Sequence, residues 1–209
     1  MDALLAFAAA LVSLRLSADL MRRFRDRRSP ELAAWAAALA AYAAAAGALA
    51  WGAAAGWSDA TFRVYYLGGG LLTAALLGAG SLLMVGRRWV APVALVYAGL
   101  AVGIALAAPL NGEISGRGIP EAQEVLELWP ARIAAIAGNS LGTMAVLVVA
   151  FTTFRARPLG NVLVVLGVGV AAIGTGLSGL GVGAMAPAIA AAAILVYAGF
   201  VAPTKARRR

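Results

Sequence analysis

The chain has 209 residues, of which 63% are hydrophobic and only 12% charged, and its formal net charge at pH 7 is +8. This composition leaves no room for a soluble domain beside a membrane part. Histidine and cysteine are absent, which excludes disulfides, bis-histidine haem ligation, zincin-type metal sites and Ser-His catalysis.

Seven apolar stretches fill nearly the whole chain. Each is about 20 residues long, enough at a rise of 1.5 Å per residue to cross a hydrocarbon core about 30 Å thick. The sequence therefore predicts an all-α polytopic membrane protein, a single seven-helix transmembrane domain over residues 1–209. The predicted spans are 3–20, 31–56, 61–85, 90–109, 131–154, 160–179 and 184–203.

The connections between the spans alternate in charge. Basic residues follow spans one, three, five and seven, and acidic residues prevail in the other connections. Because basic loops are retained in the cytoplasm, this pattern predicts an outside N-terminus and a cytoplasmic C-terminus. The basic residues are Arg22, Arg23, Arg25, Arg27, Arg28, Arg87, Arg88, Arg155, Arg157, Lys205 and Arg207–Arg209; the acidic ones are Asp2, Asp59, Glu113, Glu121, Glu124 and Glu127.

The positive charge is thus a topology signal first, with attraction to anionic lipid headgroups as a secondary effect, and no nucleic-acid partner is expected. The first span lacks a basic leader region and a cleavage pattern, so we expect it to remain as a helix. The abundance of alanine, glycine and arginine indicates a GC-rich bacterial genome. The predicted location is the bacterial cytoplasmic (inner) membrane, in contact with its lipids.

Aromatic residues and helix-start signals mark the predicted membrane boundaries. Trp35 and Trp89 fall at the inner interface, and Trp51, Trp57 and Trp129 at the outer one.

Two further signals lie at the starts of spans two and three. Ser29 followed by Pro30 predicts the start of span two, and the spacing of Asp59 and Arg63 predicts an exposed ion pair at the start of span three.

The longest connection, residues 110–129, lies on the outer side. A run from Glu121 to Leu128 predicts a short surface helix with its acids in water. The loop is either a lid or docking element, or a solvated connector.

Polar residues inside the spans are few, and Asn139 leads them. It lies near the membrane midplane, with Ser140 beside it and Thr143 one turn away on the same face. An amide there holds either a neighbouring helix or a ligand.

Three more residues complete the candidate set. Arg15 is the deepest charge in span one and serves either as a snorkelling anchor or as a gate or anion contact. Tyr65 and Tyr66 either line a cavity or belong to the interfacial belt.

Glycines suggest close helix packing, either within one bundle or at an oligomer face. Span six carries two opposed glycine faces, and spans two, three and four carry similar pairs. The small residues are Gly160, Gly167 and Gly174, then Gly169 and Gly176, and Gly52 with Gly56, Gly70 with Ala74 and Gly78, and Gly99 with Gly103.

The segments Phe62–Gly68, Gly78–Ser81 and Asn139–Thr143 resemble a group of uncharacterised seven-span integral membrane proteins of high-GC bacteria. The resemblance covers spans three to six and implies a topology without a particular chemistry. The helix count and orientation are also similar to SWEET-type proteins, and an internal repeat of spans 1–3 and 5–7 is a hypothesis. The Pro-Gln pair of SWEET proteins is missing, so that likeness is architectural only.

Function is predicted mainly by exclusion. A rhodopsin-like Schiff base is excluded because the only lysine, Lys205, lies beyond the spans, and no phosphate loop or acidic metal pair is present. We expect a non-enzyme without cofactor or metal. The first hypothesis is facilitative transport or binding of a small neutral or lipophilic molecule; the alternative is a non-catalytic accessory or scaffold subunit, a homo-oligomer or the partner of another membrane protein.

Overall fold

The computed structural model describes residues 2–176 and 182–202. It is 83% helical, and within those residues the extended structure amounts to one isolated bridge between Leu110 and Leu126. The all-α prediction is confirmed. The predicted ends of spans six and seven, at residues 179 and 203, and the basic cluster of Lys205 and Arg207–Arg209 lie outside the described residues.

Nine α-helical segments follow one another in the described residues. A π-helical segment, Tyr66–Leu72, joins α3 to α4, and a second one, Leu128–Arg132, leads into α7. The α-helices are α1 (Asp2–Arg27), α2 (Pro30–Ala55), α3 (Asp59–Tyr65), α4 (Thr73–Met84), α5 (Val90–Ala107), α6 (Ala122–Val125), α7 (Ile133–Thr152), α8 (Pro158–Gly176) and α9 (Val182–Val201).

Among the described residues, five helices are long and apolar enough to cross a membrane: α1, α2, the continuous helix from α3 to α4, α5, and α7 with its π-helical start. Their length and composition indicate a multi-pass membrane protein.

The long helices form a closed ring around a shared core. In spatial order the ring is α1, α2, α4, α7, α8 and α9, with α9 returning to α1, and α2 also touches α9. Helix α5 lies outside the ring, against α4 and the first π-helical segment, and only 17% of its most apolar stretch is buried. One side of α5 is therefore left open.

The two ends of the bundle carry opposite charge. Side-chain contacts bring together the ends of α1, α4, α7 and α9, as Tyr197 on α9 donates to the Asp19 carboxylate on α1 and Arg157 lies against the sulfur of Met84. We call this the basic end, since the last turns of α1 and the connections beside it carry Arg22, Arg23, Arg25, Arg27, Arg28, Arg87, Arg88, Arg155 and Arg157. The acidic end carries Asp59, Glu113, Glu121, Glu124 and Glu127.

The loop over residues 110–129 is fastened to the acidic end. The backbone N–H of Trp57 donates to the Gly116 carbonyl at 2.8 Å, and the backbone N–H of Asn111 donates to the Val125 carbonyl at 2.8 Å. Leu126 is buried. The surface helix predicted from Glu121 to Leu128 is reduced to the single turn α6. Val125 and Leu126 pack on the core, while Glu113, Glu121, Glu124 and Glu127 are exposed, as the sequence predicted for the acids of this loop.

Two expected features of the membrane boundaries are replaced by others. In the described chain Asp59 and Arg63 form no ion pair; Arg63 instead donates to the Ala105 and Leu106 carbonyls at 2.6 and 3.2 Å, at the C-terminal end of α5. Trp35 is also not an exposed belt residue. It is buried and stacks on Phe200 with ring centroids 3.9 Å apart.

Glycines bring particular helix pairs into contact. A Cβ at Gly142 would overlap the Ala74 carbonyl, and one at Gly78 would lie 2.6 Å from the Gly142 Cα, so α4 and α7 touch backbone to backbone. Gly160 similarly faces Gly199 on α9. Packing within one bundle therefore explains these positions. The surroundings of Gly174 and Gly176 lie outside the description.

Candidate functional site

The leading candidate, Asn139, lies against the first π-helical segment. A π-helix shifts the backbone hydrogen bond from i→i+4 to i→i+5, which disturbs the pairing of nearby carbonyls. The Asn139 side-chain amide donates to the Gly70 carbonyl at 2.7 Å and to the Ala135 carbonyl of its own helix at 2.9 Å. Both hydrogen bonds of the amide are thus made inside the bundle, and the one to Gly70 holds α7 to this segment.

Two other side chains complete the pattern around the same segment. Thr73 Oγ1 donates to the Gly68 carbonyl at 2.7 Å. The Tyr97 hydroxyl on α5 lies 2.9 Å from the Leu71 carbonyl and 3.1 Å from the Ala134 carbonyl, and its single proton serves one of them at a time. In an apolar bundle a carbonyl without a donor is costly. These polar residues therefore stabilise the irregular helix.

The glycine run at residues 68–70 explains why the segment can lie here. A Cβ at Gly68 would overlap the Ala41 carbonyl of α2, so only glycine permits this approach. A side chain at this position would force the two helices apart.

The remaining predicted site residues do not converge on one cavity. Ser140 is exposed and Thr143 is half-buried. The Tyr66 hydroxyl donates to the Ala131 carbonyl at 3.2 Å, while Tyr65 packs edge-on against Trp57 with ring centroids 5.4 Å apart. Both tyrosines therefore pack within the bundle rather than in an exposed aromatic belt.

Arg15 lies on α1, which packs mainly against α2 and α9 and not against the helix that carries Asn139. Its side chain is exposed. Asp19, one turn further along, pairs with Arg23 at 3.2 Å instead. Arg15 and Asp19 therefore do not pair with each other.

A polar junction that sequence reasoning missed lies at the basic end. Asn161, only 5% exposed, donates to the Ala150 carbonyl at 2.8 Å and to Thr153 Oγ1 at 2.9 Å. Arg157 donates to the Gly199 and Phe200 carbonyls at 3.1 and 2.9 Å. These bonds tie α7, α8 and α9 together.

Arg157 carries its charge at a partly buried position in this junction, and the position of Asn161 in the sequence explains why the junction was not predicted. Burial lowers the pKa of the Arg157 guanidinium, because the charged form loses hydration. An asparagine one turn into an apolar span was the available signal, but its partners come from distant segments.

The cavities fall into two kinds. One beside Tyr66 and Phe62 and one beside Trp35 and Arg157 measure about 10 Å³ each, room for about one water molecule. Two apolar grooves on the outside are far larger, about 510 Å³ along α5 and about 570 Å³ between α1 and α2. Asn139, Ser140 and Thr143 line none of these four cavities.

The groove between α1 and α2 is apolar throughout. We call it the α1–α2 groove, lined by Ala3, Leu4, Phe7, Ala10, Leu11 and Leu14 of α1 and by Ala40, Ala43, Ala44, Gly47, Ala50, Trp51 and Ala54 of α2. Small residues on α2 form its floor, and larger side chains on α1 form one wall.

Comparison with known proteins adds no relative. No protein-family model, curated protein or solved structure matches this chain. Within residues 2–176 and 182–202, no group of three acidic side chains is arranged to hold a metal ion. The function is therefore inferred from the geometry of this chain.

Proposed function

We propose that this chain is a seven-span protein of a bacterial cytoplasmic membrane, with its N-terminus outside, and that it binds a lipophilic molecule in the α1–α2 groove. The orientation is supported by the gathering of the basic connections at one end of the bundle. The proposed role is binding rather than catalysis.

The observation that carries this proposal is the contrast between the groove and the bundle interior. An apolar groove of about 570 Å³ has the size of a small-molecule site, and its lining suits hydrocarbon. The midplane amide of Asn139 is already hydrogen-bonded to the bundle. A polar solute crossing there would have to break those bonds, so a lipophilic ligand at the side is favoured.

Native mass spectrometry of protein released from lipid nanodiscs tests the proposal. Gly47 lies in the groove, and nothing within 4 Å would meet a Cβ there. Gly47→Leu therefore fills the groove without forcing the helices apart. We expect the wild type to retain bound lipophilic molecules and Gly47→Leu to lose most of them.

The matched control is Gly169→Leu on α8. This glycine is equally open and lines neither of the two large grooves, so its substitution should leave retention at the wild-type level. Equal retention by wild type and Gly47→Leu would refute the proposed site.

The open face of α5 favours a second candidate, a non-catalytic scaffold or accessory subunit. Nothing within 4 Å would meet a Cβ at Gly99 or Gly103, and both line the groove of about 510 Å³. Spacing of four residues between open glycines suits close approach of another helix.

Because the chain has no natural cysteine, a single Leu100→Cys substitution reports contact between copies. Disulfide-linked dimers in the native membrane, abolished by adding Gly103→Leu, would support an oligomeric scaffold. Recovery of monomers alone under oxidising conditions would count against contact between copies at this face.

A further inference from the structure

A small cavity near the basic end lies where α2, α4, α7, α8 and α9 meet. Four of the side chains that line it carry a nitrogen or an oxygen atom: Trp35, Ser81, Arg157 and Asn161. We call it the basic-end cavity. It measures about 10 Å³, room for about one water molecule. Trp35, Ser81 and Asn161 are all more than nine-tenths buried, so the cavity is a polar site inside an apolar bundle.

Two of these side chains carry a buried hydrogen-bond donor that lacks an acceptor. Within the described residues, Trp35 Nε1 and Arg157 Nε are both buried and have no hydrogen-bond partner. An N–H without an acceptor is costly in the interior of a membrane bundle, because bulk water does not reach it. Most buried polar atoms in native proteins have a partner. An acceptor bound in the cavity would satisfy both donors.

Neighbouring contacts hold both donors in place. The other nitrogens of the Arg157 guanidinium are engaged, since Nη2 donates to the Phe200 carbonyl at 2.9 Å and Nη1 lies against the Met84 sulfur. The Trp35 ring stacks on the Phe200 ring, and a Cβ at Gly80 would overlap the indole. Neither side chain can turn toward another acceptor without breaking these contacts.

The other two polar side chains of the cavity can accept hydrogen bonds. The Ser81 hydroxyl donates its proton to the Leu77 carbonyl at 3.0 Å, which leaves its oxygen lone pairs as acceptors. The Asn161 amide donates to the Ala150 carbonyl and to Thr153 Oγ1, so its carbonyl oxygen is the atom that can bond to a ligand. The cavity thus combines two donors with two acceptors.

We infer that one water molecule is bound in the basic-end cavity, where it accepts hydrogen bonds from Arg157 and Trp35 and donates to Ser81 and Asn161. A buried water typically makes two to four such bonds. A chloride ion is larger than water and would face the oxygen lone pairs of Ser81 and Asn161, so both size and charge favour water. The bound water links α2, α4 and α8. The cavity shares no lining residue with the α1–α2 groove, so the inference does not depend on the proposed function.

Hydroxyl-radical labelling by X-ray radiolysis tests the inference in the wild type. Radiolysis converts water into hydroxyl radicals that oxidise adjacent side chains, and mass spectrometry locates the oxidised residues. Trp35 and Phe200 line the cavity and are only 2% and 8% exposed. The internal control is Trp57, which is 5% exposed, also has an Nε1 without a partner, and lines none of the four cavities. We expect Trp35 and Phe200 to be oxidised several-fold faster than Trp57; equally slow oxidation of all three would overturn the inference.

A cavity-filling variant provides the second test. Val149→Ile adds a methyl group to a residue that lines the cavity and should lower the oxidation of Trp35 to the level of Trp57. The matched control is Val148→Ile, at an exposed position that lines none of the four cavities; it should keep the wild-type rate. Fast oxidation of Trp35 in a folded Val149→Ile variant would contradict the inference. Slower oxidation of wild-type Trp35 when chloride replaces gluconate at constant ionic strength would show that an anion takes the site instead. The wild-type comparison decides the inference if Val149→Ile does not fold.

Discussion

Replacing Asn139 with alanine separates a structural role of this residue from a ligand-binding role. The substitution removes the donors to the Gly70 and Ala135 carbonyls, which lie at 2.7 and 2.9 Å. Only the bond to Gly70 joins two helices. It also leaves a carbonyl of the π-helical segment without its side-chain donor, in surroundings that supply few alternatives.

The expected loss of unfolding free energy follows from these contacts. Interhelical hydrogen bonds in membrane proteins contribute about 0.6 kcal/mol on average and up to about 1.7 kcal/mol. The unsatisfied Gly70 carbonyl adds to that loss, so we expect Asn139→Ala to cost about 1–2 kcal/mol. Ser140→Ala, at the adjacent exposed position, should change the stability by less than about 0.5 kcal/mol.

Equilibrium unfolding in mixed micelles, followed by circular dichroism as the fraction of denaturing detergent rises, measures both variants. Lipid retention is recorded on the same samples and should not change. Equal stability of Asn139→Ala and the wild type would refute the structural role. Unchanged stability with lost retention would show that Asn139 contacts the ligand.

Two further predictions concern helix contacts. Gly142→Ala should destabilise the bundle by about 1–3 kcal/mol, because the added Cβ overlaps the backbone of α4. In the same titration the control Gly169→Ala, which adds its Cβ in open space, should be neutral or stabilising by up to about 1 kcal/mol. Equal changes in stability for the two variants would contradict the packing argument. Arg157→Gln should speed hydrogen–deuterium exchange in the last turn of α9, because the arginine binds carbonyls of that turn. The control Arg155→Gln, at an exposed position, should not change the exchange. Slow exchange in both variants would show that the last turn does not depend on Arg157.

Patterns carried within single segments were predictable from the sequence. Helix positions depend on runs of apolar residues bounded by charges. In the described chain α1, α2, the continuous helix from α3 to α4, α7, α8 and α9 each begin and end within about seven residues of a predicted span. The contrast between basic and acidic connections is likewise a local property of the loops. The close packing of Gly78 and Gly160 followed from the general need for small residues where helices touch in lipid.

Partners from distant segments were decided only by the tertiary structure. Asn139 was found by its rarity in an apolar span, but its partner Gly70 is 69 residues away. Asn161 and Arg157 were missed because their carbonyl partners carry no side-chain signal. The π-helical segment exists where Gly68 lets α2 approach, which depends on both helices.

The α1–α2 groove could also not be predicted from the sequence and became visible only in the tertiary structure. Alanines on α2 and leucines on α1 are unremarkable as sequence, and Arg15 alone gave only a choice between an anchor and a contact. Packing of α1 against α2 makes the groove, and the fold brings the Tyr197 hydroxyl of α9 to the Asp19 carboxylate of α1. The sequence determined which segments are apolar, because hydrophobicity is a property of each residue. The shape of the groove and the pairing of charges depend on which segments are in contact, so only the folded bundle determined them.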